Sequence, residues 1–492
     1  MQRLKDSAER WTAVESHQPA RRGTTITIMA VAVVSLVASR FLVSKLGVEL
    51  YAFTLVGVLA AALFATASFR NLMVPFVVWV VAVGGFRFLW SVRSPVLPDL
   101  YLDRMMMIWL GVIFMIKYVA ERRALRGPFV LDLLLLAHGL YIYIRVYIQD
   151  SQFVQPWFMS VAIPYIAYFF AKNVVVGERN IRALWWSLFA LVVYYSFTAI
   201  VEKYRIDSLV FPRSILAAKE LEFRGRSIGP FEHPGVFGTA FATLIPLHLY
   251  LIATARSQFV RIVVGLCLLA ALAGLYFTYT RGSWLAGVVG LAVAVQLNWR
   301  RFVPIVAPAA IAAAILAVAV LGLRNDEFMK ERVENDDTLG SRVGTAVTVL
   351  RVWRDHPLFG VGFFQFRAVR EDYVQPVEAP LLGTIRFSQF RHNPIHDIYL
   401  GPLAEDGLIG ALMQFGIYFL ILKKAYAVYR SRGPDDHFGQ LVLPVCVGAF
   451  AAYLVGGLAF DYRYFSFNGA LFYMIAGMLA GYQRTETSHV SS

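Results

Sequence analysis

Three clusters in the 492-residue sequence carry side chains whose types and spacing could do chemistry. The first runs from Phe223 to Gly235 (Phe-Arg-Gly-Arg-Ser-Ile-Gly-Pro-Phe-Glu-His-Pro-Gly), so that Arg224 and Arg226 sit among Gly225, Gly229, Pro230, Pro234 and Gly235. Guanidinium forks match phosphate oxygens, and glycine lets a backbone approach a ligand closely. The second is Thr280-Arg281-Gly282-Ser283, a tight turn with a single fixed charge. The third runs from Arg391 to Gly410 and contains His392, His396, Asp397 and Glu405. A neutral imidazole there can accept a proton from a hydroxyl near neutral pH.

Each cluster also has a plainer reading. The first could be a juxtamembrane turn with arginines facing lipid headgroups, and Arg281 could be a single side chain snorkelling to the interface. His392 and His396 are four apart, which invites a metal. Pro394 between them disfavours the helix that would put both on one face, and no Glu follows His392, so no metal is expected. Glu405 lies nine residues past His396, about 900° along a continuous helix and therefore half a turn away. Unless Pro402 breaks that helix, Glu405 has a structural role. Gly360-Val361-Gly362 lacks the third glycine and the strand–helix setting of a nucleotide loop. No D-x-D pair occurs in the outer loops, which weakens a nucleotide-sugar or divalent-metal mechanism, and no cofactor is expected.

These clusters need elements to position them. The chain is 58% hydrophobic and 16% charged, against about 45–50% and about 25% in soluble domains. A soluble enzyme, a disordered chain and a disulfide scaffold are excluded; Cys267 and Cys446 lie inside apolar runs as small buried hydrophobes. The expected fold is all-α, a polytopic helical membrane protein with about 12–14 transmembrane helices and a large periplasmic loop. Fourteen spans fall near 26–44, 49–67, 72–90, 104–119, 129–147, 157–171, 184–201, 235–254, 260–279, 283–298, 303–322, 398–422, 439–459 and 464–482, the sixth being short enough for a partial span.

The net charge of +14 resolves into topology: 22 basic residues fall on one side in the tails and short loops. On the other side there are six, namely Lys45, Arg93, Arg104, Arg145, Arg281 and Arg463. This puts a 1–25 tail and a 485–492 tail in the cytoplasm around a 26–484 membrane domain. Segments 202–234 and 323–397 become periplasmic loops, and 398–482 holds the last three spans. The larger loop contains an amphipathic helix with Val343, Ala346, Val347, Leu350 and Trp353 on one side, ended by His356-Pro357.

Taken together, the motifs resemble those of the O-antigen ligase and polymerase family of bacterial envelope glycosyltransferases, over roughly Arg224 to Gly410. The resemblance rests on R-x-x-G-x-F-x-x-P (Arg226, Gly229, Phe231, Pro234), T/S-R-G (Thr280 to Gly282) and H-P-L-F-G-V-G (His356 to Gly362). Its strongest part is the H-[N/D]-x-Y-L-x-x-L-x-E-x-G-x-x-G run from His396 to Gly410. It implies a bacterial inner-membrane enzyme of lipopolysaccharide or exopolysaccharide biosynthesis with its site facing the periplasm. The implied donor is a glycan on undecaprenyl diphosphate, and the acceptor a hydroxyl of a glycan, lipid A-core or another molecule; no nucleic acid is involved. The resemblance further implies that Arg226 and Arg281 bind the donor diphosphate and that His396 is the essential histidine. Arg224, Arg342, His392 and Asp397 are further substrate-side candidates, and Gly229, Pro234 and Glu405 structural ones. Two departures are Asp397, where the family has Asn, and Gly235, where Asn is common. From below, cations at the membrane surface stabilise a departing diphosphate while His396 takes the acceptor proton, giving inverting, metal-independent transfer. Ligase and polymerase both fit, as does protein glycosylation. A lipid-linked sugar flippase or other transporter is disfavoured because no repeated halves are visible and acidic residues are nearly absent from span centres.

Overall fold

The computed structural model describes residues 48–86, 89, 91–92, 100–122, 124–127, 129–217, 223, 225–322, 337–379, 383–385, 395 and 397–482. The first expected span, both tails, Arg224, His392 and His396 lie outside these residues. The described chain is almost wholly helical: α1 (Val48–Arg70), α2 (Met73–Val81), α3 (Leu102–Ala120), α4 (Phe129–Gln149), α5 (Ser151–Val174), α6 (Gly177–Lys203), α7 (Pro234–Thr254), α8 (Gln258–Phe277), α9 (Arg281–Leu297), α10 (Trp299–Gly322), α11 (Asp337–Asp355), α12 (Leu400–Ser431), α13 (Phe438–Gly456) and α14 (Ser466–Gly481). Two short antiparallel pairs, Ser91–Val92 with Leu100–Tyr101 and Val377–Ala379 with Gly383–Ile385, are the strands among the described residues.

Among the described residues, seven helices (α4 to α8, α12 and α13) are long and apolar enough to cross a membrane, and the chain is a polytopic membrane protein. Every expected span from 49 onward overlaps a helix among the described residues. The sixth is longer than expected. Asp150 Oδ1 accepts the Gln152 N–H (3.0 Å) to start it, and a wide helical turn at Phe158–Ala162 carries it through to Val174. Helix α4 shows the inverted amphipathicity that lipid imposes. Leu133, Leu136, Leu140 and Ile144 are exposed on one face, while Leu135, His138 and Ile142 are buried on the other.

The chain divides into two compact units. In one, α1 meets the later part of α3, where Trp109 Nε1 donates to Ser68 Oγ (3.2 Å) and Lys117 Nζ to the Phe69 carbonyl (3.0 Å). The other holds Phe76–Met107 and everything from Ala124 onward. Its axis is α7, in which every residue from Pro234 to Leu244 is buried. Lipid supplies no hydrophobic drive between helices, so close contact of small residues has to hold them. Between α9 and α13 this contact is backbone to backbone: a Cβ on Gly448 would fall 2.5 Å from the Gly290 carbonyl oxygen.

Helix α11 differs in detail from the expected amphipathic face. Val349 and Val352 pack on Phe366, Ile395 and Ala404, while Val343 and Val347 pack on the Val377–Ile385 strand pair. Leu350, expected on the apolar side, is 45% exposed. The buried stripe passes through Thr345 and Thr348 instead, because each returns its hydroxyl to the carbonyl four residues back (2.9 Å for both) and so becomes compatible with burial. The helix ends before His356-Pro357, as expected.

Candidate active site

The loop that carries Arg226 is stitched down before α7 begins. The buried Glu202 carboxylate, at the end of α6, accepts the backbone N–H groups of Ile228 and Gly229 (both 2.9 Å). Ser227 donates its N–H to the Phe277 carbonyl and its hydroxyl to the Ala199 carbonyl, 2.9 Å each. Gly229 has φ +57°, and a Cβ there would lie 2.6 Å from the Phe237 ring, so both the turn and the contact require glycine. Pro234 then opens α7, with His233 Nδ1 accepting the Gly235 N–H (3.1 Å) as the cap.

This stitching delivers Arg226 to the turn between α8 and α9. Its Nε donates to the Thr278 carbonyl (3.0 Å) and its Nη2 to Thr280 Oγ1 (2.7 Å), directly beside Arg281. Lys203 bonds the Tyr279 hydroxyl and lies 4.5 Å from that ring's centroid. Arg281 is exposed in the first turn of α9, at the positive pole of the helix. Burial, and then the charge of Arg281, push the half-buried Arg342 guanidinium below its ordinary range. Lys203 and Arg226 therefore gather with Arg281 about one turn, and the charge of Arg281 also acts on Arg342. Mutual repulsion of cations at a helix N-terminus is relieved by an anion.

The second focus is the start of α12. Asp397 caps it: Oδ1 accepts the N–H groups of Tyr399 (2.6 Å) and Leu400 (2.9 Å). Burial pushes this carboxyl up, outweighing the two N–H bonds; Asp461 adds to the rise and Arg463 opposes it. Ile398 N–H reaches the Gly457 carbonyl (3.0 Å) and Tyr399 OH the Leu454 carbonyl (2.7 Å), which ties the helix start to the end of α13. His396 sits in the chain between this cap and Ile395, which is buried.

Helix α12 does break, but at Gly407 (φ 69°, ψ −169°) and not at Pro402, which stays within the first helical turns. At the break the helix pairs with the His356–Gly362 segment. Val361 N–H donates to the Ala404 carbonyl (2.9 Å), Gly362 N–H to Glu405 (2.8 Å) and Leu408 N–H to Pro357 (2.8 Å). A Cβ on Gly360 would lie 2.6 Å from the Ala404 oxygen, and one on Gly407 2.4 Å from the Leu358 oxygen. The glycines of that motif thus serve close backbone pairing. Irregular backbone at this depth is tolerated only where protein satisfies it. Arg145 completes the arrangement by donating to the carbonyls of Phe359, Gly360 (3.1 Å) and Glu405 (3.2 Å).

Glu405 is buried and paired. Arg463 Nη2 reaches its Oε2 at 3.1 Å, and the Tyr464 hydroxyl donates to the carboxylate at 2.8 Å. The same guanidinium contacts Asp461 (2.7 Å) and, through Nη1, Asp406 (3.8 Å). Burial pushes Asp461 up, and Arg463 pulls it down. Both foci lie at one end of the bundle, since a Cβ on Gly282 would fall 2.3 Å from the Ala459 Cβ, two residues before Asp461. Between Pro230–Glu232 and Tyr464–Phe467 opens a cavity of about 250 Å³, with Phe231 and Phe467 stacked at 5.3 Å.

Of the residues singled out in sequence, Arg226 and Arg281 converge, Gly229 and Pro234 shape the loop that brings Arg226 there, and Arg342 on α11 feels the Arg281 charge. Asp397 caps α12, and Glu405 joins the Arg463 network. Lys203, Glu202, Arg145, Asp461 and Arg463 were not singled out. Arg145 and Arg463 carried a usable signal, as two of the six basic residues that the loop-charge count sets apart from the other 22. Together these features define a polytopic membrane protein with a cation cluster and a buried ionic network at one end of its helices. Residues 265–415, just under a third of the chain, match the family model described as O-antigen ligase, so this part of the protein is O-antigen ligase-like. The match spans Arg281, Arg342, His396, Asp397 and Glu405, and stops short of Arg226 and Arg463. No curated protein sequence matches the chain.

Proposed function

We propose that the protein is a membrane glycosyltransferase of the O-antigen ligase type. In this reading it moves a glycan from undecaprenyl diphosphate to an acceptor hydroxyl at the periplasmic face of the bacterial inner membrane, with inversion and without a metal. The observation that carries the proposal is the docking of Arg226 on the Thr278–Thr280 turn beside Arg281. Lys203 reinforces the same turn through Tyr279, and Arg342 lies within reach of the Arg281 charge. The acceptor oxygen bonds to the anomeric carbon as the bond from that carbon to the diphosphate oxygen breaks. The leaving diphosphate takes the bonding electrons, and its charge is met by the clustered cations. His396 accepts the hydroxyl proton. The aromatic cavity beside Glu232 offers ring faces and a carboxylate suited to a sugar.

The test uses purified protein in detergent with an undecaprenyl-diphosphate glycan and a panel of acceptors, lipid A-core among them. Transfer is expected without any gradient, which a flippase would not catalyse. His396→Ala should insert normally and lose transfer, and full activity in that variant would remove His396 from the mechanism. Product analysis then separates ligase from polymerase.

A further inference from the structure

We propose that the groove between α8 and α10, at the end of the bundle opposite the cation cluster, is a binding site for an anionic phospholipid. The groove encloses about 590 Å³. Its head is formed by Gln258, Arg261 and Arg301, and its apolar length by Leu269, Pro308 and Ala312. The position follows from helix length: from Arg261 to Phe277, just before the Thr278–Arg281 turn, α8 rises about 24 Å, most of the hydrocarbon thickness.

Three observations shape the site. Pro304 and Pro308 lie inside α10 and line the groove, where each lacks the N–H that would bond the carbonyl four residues back. On the facing side, a Cβ placed on Gly265 would meet nothing within 4 Å, so the space is open along α8. From Arg301 to Ala312 the groove descends about 16 Å, the depth of one leaflet. An acyl chain fits that length, with the headgroup at the arginines. The lining contains two guanidinium groups and no carboxylate, so it complements a phosphodiester that brings no cation of its own. Trp299 is 60% exposed next to the head, with Arg300 5.8 Å from its ring centroid, as expected where a helix meets the headgroup layer. Basic pockets between membrane helices recognise acidic headgroups by this combination.

The full-length protein, purified from mixed micelles of phosphatidylglycerol and phosphatidylcholine and washed, should retain phosphatidylglycerol with an enrichment of about 10- to 30-fold, read by native mass spectrometry. In the Arg261→Ala/Arg301→Ala variant the enrichment should fall to near parity. The Arg256→Ala/Arg300→Ala variant, which removes equal charge just outside the groove, should keep most of it. Equal retention of the two lipids would overturn the proposal, as would enrichment that survives loss of Arg261 and Arg301. Displacement of phosphatidylglycerol by millimolar inorganic phosphate would also overturn it, because a phosphate site without an acyl groove would then suffice.

Discussion

Arg226 uses two nitrogens of one planar fork, Nε to the Thr278 carbonyl and Nη2 to Thr280 Oγ1, where a lysine would bring a single point charge. If its planar fork positions the charge, Arg226→Lys should lower the initial rate of transfer roughly tenfold and Arg226→Ala about 10²-fold, with insertion unchanged. Equal rates for Arg226→Lys and wild type would reduce its role to charge alone. Asp397 separates in a similar way. Asparagine caps as well as aspartate, so Asp397→Asn should retain the melting temperature, whereas Asp397→Ala should lose about 1 kcal/mol. A rate loss in Asp397→Asn without a stability loss would show that the negative charge next to His396 matters. At this scale the sequence was informative about type. Arginine, histidine and glycine were recognisable from what phosphate, proton transfer and tight turns require. Lys203 was not, because nothing local distinguishes it from any lysine at the end of a span.

The broken helix α12 owes its shape to a partner segment. Gly407 leaves the helix so that its neighbours can exchange backbone bonds with Pro357–Gly362, and Arg145 and Arg463 hold the two sides. Removing Arg463 strands Glu405, Asp406 and Asp461 in a buried setting. Arg463→Leu should therefore cost about 3–5 kcal/mol, visible as a depressed detergent melting temperature or failure to accumulate. Glu405→Gln, which keeps the Tyr464 bond, should cost much less. The sequence placed a span from about residue 398 and offered Pro402 as its breaker. Proline in a first helical turn is tolerated because its missing N–H has no partner to lose there. A glycine bends a helix only where something pairs with the freed backbone.

At the scale of the molecule, the described protein is two-ended. Lys203, Arg226, Arg281 and Arg463 share one end; Arg261, Arg301 and Arg432, which donates to the Leu297 carbonyl (3.0 Å), share the other. The proposed orientation makes a direct prediction on a Cys267→Ser background. An impermeant thiol reagent should label Ser208→Cys from the periplasm of cells with a permeabilised outer membrane, and leave Arg256→Cys unlabelled. The reverse pattern would put the cation cluster on the cytoplasmic side. Span positions and charge asymmetry could be read from sequence because hydropathy over about 20 residues and loop charge are local quantities. What only the tertiary structure decided are contacts across long separations: Arg226 to Thr280 over 54 residues, Arg463 to Glu405 over 58, and Arg145 to Glu405 over 260. The energy of such a contact depends on which helices lie side by side, and no window of sequence contains both partners.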